Sequence, residues 1–154
     1  LLGPLAGVDV VGLGFAAQQV HGHHGELRRG AALQGLGNCA LRRGDLNEAK
    51  RLHTEAAKIL HTGHYGYSLA YSLDSFAALA FAQNDSERAL ILLSAADAYR
   101  ESIHTDLLPP EQNERESLLD SIKKTLSPEK ISVLIKQGRG MSHDKAVEFA
   151  LNHA

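Results

Sequence analysis

From Glu26 onward, apolar residues recur at intervals of three and four, the spacing of helices with one buried face. Leu33, Leu36, Gly37, Ala40 and Leu41 form the first stripe, on a helix expected to end at Arg42 or Arg43, where Gly44 interrupts it. Asp45 can then accept hydrogen bonds from the free N–H groups of a second helix, whose stripe is Leu46, Ala49, Leu52, Ala56 and Ile59. The pattern predicts a helical hairpin, with small residues wherever the two backbones come close. The helical signal runs to about Leu60, and residues 61–67, with two glycines and two tyrosines, read as a connector.

The stripe then returns. Leu73, Phe76, Ala77, Ala80, Ala89, Leu93 and Ala96 stand 40 residues after Leu33, Leu36, Gly37, Ala40, Ala49, His53 and Ala56. Asn84-Asp85 takes the place of Gly44-Asp45, and asparagine tolerates the left-handed backbone that ends a helix. A second hairpin is expected near residues 68–82 and 86–102, with Ser86 capping its second helix. Beyond Ser102 the repeat stops. Asp106-Leu107-Leu108-Pro109-Pro110 reads as a rigid spacer, followed by a helix over about residues 110–126 with buried Leu118, Leu119, Ile122 and Leu126. Its acids come early and Lys123-Lys124 late, as the helix dipole favours. Ser127-Pro128 starts a shorter helix containing Ile131, Leu134 and Ile135, which Gly138-Arg139-Gly140 ends. Ser142 caps a last one carrying Ala146, Val147, Phe149, Ala150 and Leu151. Seven helices and no strand make the expected fold all-α.

A large apolar residue, a Leu-Gly pair three and four later, a small residue, a turn, and an alanine that seats the second helix resemble the tetratricopeptide repeat. That repeat is usually about 34 residues long; the longer period resembles its long-helix variety. The end of the chain carries a further likeness. Residues 92–101 (LLSAADAYRE), then Leu107-Leu108-Pro109-Pro110-Glu111, then Gly138-Arg139-Gly140-Met141-Ser142 with Ala146-Val147 and Ala150-Leu151, resemble the C-terminal repeat region of bacterial LuxR-type and MalT-like signalling ATPase regulators. The likeness spans about Gly30 to Leu151 and departs at Ser94, Met141 and Asp144-Lys145. It implies an α-solenoid of tetratricopeptide-like hairpins with a C-terminal helical cap. It also implies a role in transcription regulation or signal transduction, with the family's chemistry in other domains.

Composition narrows the function further. At 154 residues the chain is long enough to bury a core, as one domain or part of a larger one. A hydrophobic content of 44% with 22% charge is that of a soluble globular protein, and a formal net charge of −2 offers nothing to nucleic acid. Absence of tryptophan removes the strongest stacking residue of single-strand binders. The single cysteine, Cys39, cannot form an internal disulfide; on the first helix it reads as a buried thiol in a reducing, cytoplasmic compartment.

Residues 1–25 form an irregular lead-in, rich in glycine and without a starting methionine, so the chain is expected to be a fragment whose natural start lies upstream. Residues 1–20 are apolar, but Asp9 and the glycines break the run and no basic head precedes it, so neither a membrane span nor a signal segment is expected. Val8-Asp9-Val10-Val11 with Gly12-Leu13-Gly14 imitates a dinucleotide-binding fingerprint. No second parallel strand with an acidic end follows, so the match reads as chance. His21, His23 and His24 sit between glycines with no cysteine or carboxylate constellation, and read as loop histidines without a metal. No phosphate-binding G-x-x-x-x-G-K-[ST] loop and no G-x-S-x-G elbow occur. An enzyme is not expected, nor a cofactor.

Binding remains. In stacked hairpins the first helix of each pair lines a concave face. The repeat register puts Gln34, Asn38, Leu41 and Arg42 there in the first hairpin, and Tyr71, Asp74, Ala78 and Phe81 in the second. Their mixture of amide, charge and aromatic suits a peptide or protein; the alternative for each is solvation or packing on a neighbouring helix. Asn38 matches an asparagine with which chaperone-binding repeats hold a peptide carboxylate, but Gln34 stands where those repeats place lysine, so no carboxylate clamp is expected. Two function classes stay open: an interaction and regulatory module whose partner is a protein, a peptide or an adjacent domain, and a self-associating structural module, for example a homodimer. A weaker third is an enzyme built on the glycine-rich start. Two hairpins are few for a solenoid, so the face from Glu26 to Gly44 is expected to expose apolar surface.

Overall fold

A computed structural model describes residues 22–153, and within them the chain is all-α. Seven helices follow one another: α1 (Gly22–Arg42), α2 (Leu46–Thr62), α3 (Gly66–Ala82), α4 (Ser86–Ser102), α5 (Pro109–Lys123), α6 (Pro128–Arg139) and α7 (His143–His153). The dinucleotide-like stretch and His21 lie outside the described residues. Helix begins at Gly22, inside the expected lead-in, and the connector between α2 and α3 shrinks to residues 63–65.

One turn closes the first four helices. Gly44, His64, Asn84 and His104, spaced 20 residues apart, adopt φ of +81°, +58°, +64° and +54°. At each, the following N–H reaches five residues back: Asp45 to the Ala40 carbonyl at 2.9 Å, Tyr65 to Leu60 at 3.0 Å, Asp85 to Ala80 at 2.9 Å and Thr105 to Arg100 at 3.1 Å. The left-handed residue itself bonds three back, to Leu41, His61, Phe81 or Glu101. This pair of bonds satisfies the carbonyls that a helix end leaves free. Asp45 and Asp85 then cap the next helix, accepting from the Glu48 and Arg88 N–H groups at 3.2 and 3.0 Å. The cap of α4 is therefore Asp85. Ser86 is the first helical residue instead, because the turn brings the aspartate one position earlier into cap geometry.

The described residues form two compact units, divided after Leu69. In the first, α1 and α2 pack together along two glycines a heptad apart. A Cβ added at Gly30 would lie 2.7 Å from Leu60 Cδ2, and one at Gly37 would lie 2.6 Å from His53 Cε1. Only hydrogen at these positions lets the helices approach so closely. Ala40, Ala49, Leu52, Ala56, Ala57 and Leu60 complete this core. Cys39 is half-buried rather than buried.

In the second unit α4 is the central element, buried from Arg88 through Ala96 and again at Tyr99 and Arg100. A helix buried around its whole circumference needs neighbours on every side. Here α6, α5 and α7 all pack against α4, which draws the tail helices and most of the second hairpin into one unit. Gly138 lets α6 cross closely, since a Cβ there would meet the Ile91 carbonyl at 2.3 Å. Ser127 and Ser142 cap α6 and α7 as the sequence suggests, each 3.2 Å from a backbone N–H. Both ends of α7 are pinned: the His143 ring stacks on Tyr99 at 3.9 Å, and Arg88 donates to the Phe149 and Ala150 carbonyls at 3.2 and 2.9 Å.

Candidate functional site

The eight residues expected to line a binding face lie on α1 and α3, and the structure treats them unequally. Gln34 is turned inward, 4% exposed, with its amide Nε2 donating to the Ser68 carbonyl at 2.7 Å. Buried and bonded to the backbone at the first turn of α3, it serves packing and is not an open contact. Asn38 and Leu41 are half-buried and Arg42 is exposed at the end of α1. On α3, Tyr71, Ala78 and Phe81 are half-buried.

Asp74 differs from these. Its carboxylate is 12% exposed and takes both ends of the Arg100 guanidinium, at 2.5 Å to Oδ2 and 3.3 Å to Oδ1. Arg100 in turn bonds Asp97 Oδ1 at 3.0 Å, and the second oxygen of Asp97 accepts from Arg115. Four charges of alternating sign thus run from α3, across two positions on α4 one turn apart, to α5. Position decides this: Asp97 and Arg100 are three residues apart and share a helix face. Arg115 arrives because Pro109 and the Glu111 carboxylate, which accepts from the Leu108 N–H at 3.1 Å, fix where α5 starts.

Burial dominates the electrostatics. Removal from water pushes the Asp74 carboxyl up to about 6, even though hydrogen bonding and charge from Arg100 and the more distant Arg115 pull it down. For Arg100 burial works against the charge, but its bonds to Asp74 and Asp97 win and its pKa is raised. Asp97, Arg100 and Arg115 line a polar cavity of about 670 Å³, together with Thr105, Asp106 and Gln112. Its wall includes the loop after His104, one of the four left-handed residues. Sequence register singled out Asp74 but not Arg100, Asp97 or Arg115; the three-residue spacing of Asp97 and Arg100 was the available signal.

Two further sites have definite character. His53 is buried against Gly37, and burial lowers its pKa to about 4, so the ring is neutral near pH 7. Arg88, 6% exposed, lies 5.4 Å from the centre of the Phe149 ring while capping the end of α7. Among the described residues no group of three His, Cys, Asp or Glu side chains could hold a metal ion, and no helix is long and apolar enough to cross a membrane. No family model matches the chain, and neither a curated protein nor a solved structure matches it.

Proposed function

We propose that the chain is a protein-interaction and regulatory module of tetratricopeptide-like hairpins, of the kind found in bacterial transcriptional regulators and signalling ATPases. The observation that carries this reading is the single turn geometry repeated every 20 residues at Gly44, His64, Asn84 and His104, which closes successive helices, three of them 17 residues long. Repetition of one hairpin multiplies helix surface, and such surface suits an extended peptide or protein partner. The resemblance of the chain's end to regulator repeat regions supports the same reading. In each unit by itself the candidate contacts are Asn38, Leu41 and Arg42 on α1, and Tyr71, Ala78 and Phe81 on α3. Gln34 is left out because it is only 4% exposed, and Asp74 because its carboxylate is 12% exposed and paired with Arg100.

Self-association is the alternative, favoured by the half-buried Leu33, Leu36 and Leu41 on α1. Light scattering coupled to size exclusion on the full chain, over a hundredfold range of concentration, separates the two. A mass that stays monomeric, with selection from a peptide library that fails for Tyr71→Ala and Phe81→Ala, is the expected result. A dimer whose mass falls on dilution, with no peptide selected, would replace the interaction module with a self-associating one.

A further inference from the structure

We propose that the chain Asp74, Arg100, Asp97 and Arg115 is a proton-operated coupling, in which the charge state of Asp74 on α3 sets how firmly α5 is held on α4. The geometry supplies both halves of the device. Arg100 divides its donors between two carboxylates, with Nη1 on Asp74 and Nη2 shared between Asp74 and Asp97. Asp97 divides its oxygens between two guanidinium groups, Oδ1 to Arg100 and Oδ2 to Arg115. Neither middle member can strengthen one bond without loosening the other.

Protonation of Asp74 removes the negative charge that Arg100 faces from α3. Arg100 is 6% exposed and cannot recover that charge from solvent. Its remaining counter-charge is Asp97, which is drawn toward Arg100 and away from Arg115. The charged groups that act on Asp74 are Arg100 and Asp97 from α4 and Arg115 from α5; around them, Glu101, Asp106 and Glu116 line the same cavity and Arg139 of α6 acts on Asp97. The Arg115 Nε is buried with no hydrogen-bond partner, and among the described residues Asp97 accepts the one hydrogen bond found for its guanidinium.

Leverage comes from the slender seat of α5. Of its 15 residues Ile122 alone is fully buried, so the Arg115 to Asp97 ion pair is a large share of what fixes the helix. Proton access is provided by the 12% of the Asp74 side chain that stays exposed, while the cavity borders its partner Arg100. The carboxyl of Asp74, lifted by burial to about 6, changes charge over the interval where cellular and acidified compartments differ.

The test is a pH titration of the full chain labelled with ¹³C and ¹⁵N, following the Asp74 carboxyl carbon and the amide signals of α5 from about pH 4.5 to about pH 8. Asp74 is expected to titrate with a midpoint near 6, and amides around Arg115 to shift with that same midpoint. Asp74→Asn, which fixes the uncharged state, should hold the α5 signals at their acid positions throughout. Arg115→Gln should leave the Asp74 titration in place while abolishing the matching shift in α5. An Asp74 midpoint below about 4.5, within the ordinary carboxylate range, would overturn the proposal. So would α5 signals that stay fixed as Asp74 titrates, and both of these outcomes are read on the unmodified protein, whether or not either variant folds.

Discussion

Glycine at 37 and histidine at 53 show how one pair of residues decides the approach of two helices. The second hairpin places Ala77 and Leu93 at the corresponding positions, 40 residues on. A methyl group at residue 37 would lie 2.6 to 2.8 Å from three atoms of the imidazole ring, too close without movement of a ring buried on every side. Gly37→Ala is therefore expected to cost about 1–3 kcal/mol, the usual penalty of overpacking. Adding His53→Leu, which rebuilds the pair of the second hairpin, should recover a substantial part of that loss. Gly35→Ala provides the contrast: nothing lies within 4 Å of the added carbon, and the change should stabilise α1 by about 1 kcal/mol. Urea unfolding of the three variants checks this set, and equal losses for residues 35 and 37 would refute the packing argument. The hydrophobic register placed Gly37 opposite α2 from sequence alone. It could not identify Gly30 or Gly138 as crossing points, because a glycine inside a helix and one that ends a helix look the same until the neighbouring helix is in place. Gly138 was legible only as a terminator, whereas it lies within α6 against the α4 backbone.

At the scale of elements, the four turns carry one geometry on four different residues. Glycine is at home at φ +81°, and asparagine tolerates +64°, but His64 at +58° and His104 at +54° hold a full side chain in a region that L-residues enter at a cost. His64→Gly is thus expected to raise stability by up to about 1 kcal/mol, while Gly44→Ala should lower it by a similar amount. Thermal unfolding of the two variants tests this, and a stabilising Gly44→Ala would remove the turn from the account. The same comparison explains what the sequence showed. Gly44-Asp45 and Asn84-Asp85 advertise a helix end followed by a cap, so a 40-residue repeat was readable. His64 and His104 carry no such signal. The underlying 20-residue rhythm emerged only with the backbone angles. Helix types and most boundaries came from stripe periodicity; the central place of α4 did not, since Leu90 to Ala96 offers no polar face from which to infer its neighbours.

For the molecule as a whole, the two units should answer acid in opposite directions. His53, in the first unit, has its pKa lowered by burial from 6.5 to about 4. The unfolded chain binds that proton more readily, so the stability His53 contributes is present above pH 6.5 and is lost as the pH falls toward 4. Asp74, in the second unit, is raised by burial from 3.8 to about 6, and here the folded state binds the proton more readily. Its contribution is full below pH 3.8 and is lost as the pH rises through 6. Each shift of two or more pK units corresponds to stability on the order of 3 kcal/mol. Hydrogen exchange, corrected for intrinsic rates and compared at pH 7 and pH 5, should show amides of α1 and α2 losing protection in acid while those of α4 gain it. The loosened α5 should lose protection alongside, because its ion pair weakens as Asp74 takes up its proton. His53→Leu should abolish the loss in α1 and α2 and leave α4 unchanged. A fall in protection of equal size in both units, or an acid-sensitive α1 and α2 in His53→Leu, would show that other groups govern the response. Neither residue's role was visible in the sequence, where His53 was one member of a register and Asp74 a polar position on a helix face. Burial and the identity of the facing charge, which only the packed chain defines, make each of them responsive to acid.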